Sequence, residues 1–86
     1  MENKHLYAVL LGGKIRENNL MEDHHLVFVV AESEEEARKL SKSKWDAADI
    51  HVDGTQKLNM VDGYEIKLVK TDKQDDDHEV NPKYSK

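Results

Sequence analysis

The chain has 86 residues, and its 18 acidic against 13 basic side chains give a formal charge of −5, which argues against whole-molecule attraction to nucleic acid or anionic lipid. It contains no cysteine, which excludes a disulfide scaffold, a zinc–thiolate centre and thiol catalysis. One domain of this size builds a small core and has little room for a deep catalytic cavity of its own.

The opening Met1-Glu2-Asn3-Lys4-His5 lacks the basic start and cleavable apolar stretch of a signal peptide. No apolar run approaches the ~18 residues of a membrane span. The expectation is a small cytoplasmic protein with no membrane association. Leu6-Tyr7-Ala8-Val9-Leu10-Leu11, stopped by Gly12-Gly13, reads as a strand buried on both faces. A long polar connection follows, in which Ile15, Leu20 and Met21 are expected to pin the loop down. Leu26 to Ala31 is the second strand, rich in β-branched and aromatic side chains with no polar alternation.

Ser33 followed by Glu36 fits a capping box. Glu34, Glu35 and Glu36 then suit the positive end of a helix dipole, and Arg38, Lys39, Lys42 and Lys44 the negative end. A helix is predicted from Ser33 to about Lys44. Its buried stripe is thin: Ala37, Leu40, Ser41, the stem of Lys44, and Trp45 or Ala48 closing the end. Asp49 to Gly54 reads as a short extended segment ending in a turn, and Gln56 to Lys70 as a hairpin. A three-residue loop, Val61-Asp62-Gly63, is expected because it gathers Leu58, Met60, Tyr64, Ile66 and Leu68 on one face, with Gly63 at positive φ. Residues 1–70 thus form a single α+β domain of order β-β-α-β-β, its small sheet mixed or antiparallel and packed with one main helix; residues 71–86 form a polar, flexible tail.

Two fully apolar strands and one thin helix do not match. The helix covers one side of the sheet, which leaves Leu10, Phe28, Val30 and Leu68 as candidates for sheet core or interface. The leading expectation is a non-enzymatic module that self-associates, with a homodimer as the simplest form and an unidentified protein as a further partner. A second reading starts from the five histidines. Glu22 and His24 precede the second strand, and His51 and Asp53 flank Val52, so if these segments are neighbours in the sheet they would gather imidazoles and carboxylates suited to zinc or manganese, for metal binding or metal-assisted hydrolysis. A third is weak nucleic-acid contact through Arg38, Lys39, Lys42 and Lys44, whose charges are equally explained by the dipole and by ion pairs with the glutamates. No cofactor signature is present: Gly12-Gly13-Lys14 lacks the further glycines and the immediate helix of a phosphate loop. No serine sits on a strained elbow beside a base, so no catalytic residue is assigned.

Leu6 to Gly13, the combination Glu22…His24-His25-Leu26-Val27-Phe28-Val29-Val30, and Ile50-His51-Val52-Asp53-Gly54 followed by Val61-Asp62-Gly63-Tyr64-Glu65-Ile66 resemble a bacterial family catalogued as domain of unknown function 1543. The resemblance runs from about Leu6 to Leu68, and departs from the family pattern where His25 replaces an acidic residue. It implies small bacterial cytoplasmic proteins, some with the domain duplicated, and no activity.

Overall fold

Residues 3–15 and 20–72 are described by the computed structural model. Strands β1 (His5–Lys14), β2 (Asp23–Ala31) and β3 (Ala48–Leu58) form an antiparallel sheet of order β2-β1-β3, with helix α1 (Glu34–Lys42) between β2 and β3. Both outer strands run antiparallel to β1 and therefore parallel to each other. The chain must cross over the central strand to get from one to the other, and α1 makes that crossing, covering one face of the sheet. The result is the expected α+β architecture.

Pleat alternation sorts the side chains between the two faces. Tyr7, Val9 and Leu11 of β1 and Val27, Val29 and Ala31 of β2 are buried with Ala37 of the helix; Trp45, Ile50 and Val52 pack against them. The only buried helix residues are Ala37 and Ser41, one turn apart and both small, so α1 lies close to the sheet. Leu40, expected in the buried stripe, is instead 42% exposed. Helix capping follows the sequence. The Glu36 amide donates to Ser33 Oγ at 3.1 Å, while Glu36 Oε1 accepts from the Glu32 amide at 3.1 Å. At the other end Ser41 Oγ donates to the Arg38 carbonyl and Ser43 Oγ to the Leu40 carbonyl, at 2.8 and 2.7 Å. Serine hydroxyls competing for the last carbonyls end the helix at Lys42, two residues before the expected Lys44.

Three further expectations are corrected. Gly54 lies within β3 and does not end it in a turn; the strand is continuous through Leu58. The hairpin formed by β4 (Met60–Val61) and β5 (Tyr64–Glu65) pairs Val61 with Tyr64 across the two-residue loop Asp62-Gly63, not a three-residue one. Asp62 (φ 51°) and Gly63 (φ 81°) both lie in the left-handed region, as a type I′ turn requires. Gly63 has the positive φ expected of it, but the register argument failed because neither face of this hairpin is buried: Met60, Val61 and Tyr64 are all exposed. Ile15, Leu20 and Met21, expected to pin the first connection, are likewise exposed. The proposed tail lies almost wholly outside the described residues. No helix among the described residues is long and apolar enough to cross a membrane.

Candidate functional site

The face of the sheet away from α1 has two parts, an apolar field and a polar corner. Leu10, Leu26, Phe28 and Val30 are 39, 53, 51 and 42% exposed, and half-buried Leu6, Ala8 and Leu58 lie on the same face. Three of the four residues read as core or interface from the sequence, Leu10, Phe28 and Val30, are therefore neighbours here: Ala8 pairs with Phe28, Leu6 with Val30 and Leu10 with Leu26. Leu68 does not join them; it follows β5, outside the three-stranded sheet, and is 41% exposed. The sequence expectation that β1 and β2 are buried on both faces holds for the helix side alone.

The polar corner owes its composition to two irregularities in β3. Leu10 pairs with Gly54 but the adjacent Leu11 pairs with Val52, so Asp53 is an extra residue with no partner in the ladder. This bulge switches the strand's parity. Thr55 and Lys57 lie opposite Val9 and Tyr7 on the helix side, yet beyond the bulge it is Val52 that lies opposite Leu11. Ile50 and Val52 thereby join the core while His51 and Asp53 reach the open face. A second register shift separates Gly12↔His51 from Lys14↔Ala48, and there Asp49 takes a left-handed conformation, φ 54°. Its carbonyl oxygen lies 3.3 Å from His51 Nδ1.

Around this corner His51 Nε2 is 3.1 Å from Asp53 Oδ1 and 3.2 Å from Glu22 Oε2, and His24 Nε2 is 3.1 Å from Asp53 Oδ2. All four residues named from the sequence thus meet, drawn from the segment before β2, from β2 and from β3. Donor atoms of Glu22, His51 and Asp53 lie within 4.8 Å of one another, a set able to hold a metal ion. His24 stands outside that set, on the far oxygen of Asp53. The side chains are half-exposed, from 30% for Asp53 to 53% for His24.

What the sequence reading missed is the floor. A Cβ on Gly12 would lie 2.7 Å from His51 Nε2, 2.8 Å from Asp53 Oδ2 and 3.0 Å from Glu22 Oε2. Gly13 faces the other way, where a Cβ would lie 3.0 Å from the Trp45 ring and 3.1 Å from the Ala48 carbonyl. Each glycine of the pair admits a close approach on its own side of the sheet. His24 and His25 split likewise: His25 sits on the helix side with its ring 5.5 Å from that of Trp45. The signal for the floor lies in Gly12-Gly13, which do not stop the strand as expected: β1 runs on through both to Lys14. On the opposite side of the molecule Arg38, Lys39 and Lys42 line a shallow open groove with Glu35 and Val52.

A family model described as Domain of Unknown Function (DUF1543) matches residues 19–68. Among curated proteins and among solved structures nothing matches significantly.

Proposed function

We propose, for a chain that belongs to the DUF1543 family, a non-enzymatic role as a self-associating module whose open sheet face docks on a second copy of itself. The observation that carries this reading is the uncovered apolar field of Leu10, Leu26, Phe28 and Val30, each about half-exposed on a regular sheet. Contiguous apolar surface of this kind marks an interaction site more often than single exposed side chains do.

A second copy suits the field better than a charged partner does. Its side chains on β1 and β2, namely Leu6, Ala8, Leu10, Leu26, Phe28 and Val30, carry no charge. A chain of net charge −5 repels its own kind over most of its surface, and an uncharged face is where two copies meet without that cost. The ionisable corner lies at one end of the field, so a two-fold axis running across the strands sets the two corners at opposite ends of the contact. A stable dimer buries about 800 Å² per partner.

Size-exclusion chromatography with light scattering tests the reading at micromolar concentration. Wild type is expected at twice the chain mass and Phe28→Glu at the chain mass, both with the same circular dichroism. A wild-type monomer overturns it.

A further inference from the structure

We propose that Glu22, His51 and Asp53 bind one divalent transition-metal ion of zinc-like preference, with His24 as the residue that positions Asp53. The first ground is spacing. Metal–ligand bonds of about 2.0–2.1 Å in a tetrahedral zinc centre place neighbouring donor atoms ~3.3 Å apart. His51 Nε2 lies 3.1 and 3.2 Å from oxygens of Asp53 and Glu22, so an ion enters with small side-chain shifts.

The second ground is the bonding of His51. Its Nδ1 faces the Asp49 carbonyl at 3.3 Å, and a carbonyl only accepts, so Nδ1 carries a hydrogen whether or not Nε2 does. Metal-binding histidines are held in this way, with the far nitrogen donating to backbone or carboxylate so that the near one presents its lone pair. Nε2 then confronts two carboxylate oxygens at nearly equal distance. With a hydrogen on Nε2 as well, that N–H directs itself along one of the two lines, whereas a cation between the three atoms attracts them all.

The third ground is the space itself. Four ionisable side chains from separate segments converge over the residue of the central strand that has no side chain to stand among them. The Gly12 floor is a cradle that a single methyl group would fill, since its Cβ would lie 2.7 and 3.0 Å from the donor atoms of His51 and Glu22 and 2.8 Å from Asp53 Oδ2. An ion here ties the segment that leads into β2 to β3, on the far side of the central strand.

The donor set defines the class of ion. An imidazole with two carboxylates suits zinc, manganese or iron(II), while magnesium and calcium prefer all-oxygen shells. His24 Nε2 holds Asp53 Oδ2 at 3.1 Å, leaving the other oxygen for the ion and His51. Three protein ligands on a half-exposed corner leave the remaining coordination positions to solvent, the open form of a metal site.

Calorimetric titration of untagged, EDTA-treated full-length protein with zinc chloride, alongside magnesium chloride and thermal unfolding, tests the proposal. Expected are one zinc per chain, magnesium at least about tenfold weaker, and a melting temperature that rises with zinc because the ion binds the folded state. His51→Ala and Asp53→Asn are expected to lose at least about a hundredfold in zinc affinity, and His24→Ala about tenfold, the low end for an outer-shell partner. His25→Ala, on the other side of the sheet, is expected to bind as wild type, which separates this site from casual capture by surface histidines. Gly12→Ala is expected to abolish binding. Circular dichroism checks the fold of each variant, with His51→Gln standing in should His51→Ala unfold. No zinc binding by the wild type overturns the proposal, as does wild-type affinity in both folded His51 and Asp53 variants.

Discussion

Adjacent residues of β1 have opposite fates, and substitutions should show it. Leu11 is fully buried while Leu10 is 39% exposed. Leu11→Ala is expected to lose about 2–5 kcal/mol, enough to unfold much of a small domain, and Leu10→Ala far less in a monomeric background; urea denaturation of the two proteins measures the contrast. The glycine pair separates in the same way. Gly13→Ala drives a methyl group into the Trp45 ring and the Ala48 backbone, at 3.0 and 3.1 Å. It should destabilise the domain by about 1–3 kcal/mol, the usual cost of overpacking. Gly12→Ala meets the ends of side chains that can swing toward solvent, so its loss of stability should be smaller in the same assay.

Elements differ in how far their local sequence dictates them. The helix was legible nearly to the residue, because its caps are local chemistry: Ser33 and Glu36 satisfy backbone groups within the same turn. Ser33→Ala should therefore lower stability by about 1 kcal/mol, read as a shift in the thermal melt. The long strands were legible from their apolar runs. The hairpin register was not, since grouping apolar side chains on one face has force only where that face is covered, and here the turn preference of Asp62-Gly63 prevailed. Gly63→Ala, at φ 81°, is expected to cost about 1 kcal/mol, measurable by the same melt. The four residues of the polar corner were legible as a group, since alternation keeps His51 and Asp53 together. Invisible were Asp49's left-handed backbone and the role of Gly12, both set by pairing between distant strands.

At the scale of the whole molecule, one helix crosses one face of the sheet, and the other is open among the described residues. If a second copy completes it, unfolding and dissociation are linked, and the melting temperature should climb with protein concentration. Differential scanning fluorimetry over a hundredfold range of concentration is expected to show that climb for wild type and a flat response for Phe28→Glu. The sheet's outer strands need protection from uncontrolled pairing. On β2, Lys44 Nζ donates to the Phe28 carbonyl at 2.6 Å, which occupies one backbone acceptor and sets a charged side chain beside the strand.

The unpaired Asp53 is one residue more than a regular ladder would hold. A protein shortened by this one position would keep Gly54 opposite Leu10 and Val52 opposite Leu11 in an unbroken ladder. Ile50 and Val52 would stay beneath the helix and His51 outside it, so the fold should survive while the corner gives up a carboxylate. Evolution could thus add or erase this chemistry by a single codon's length without disturbing the core.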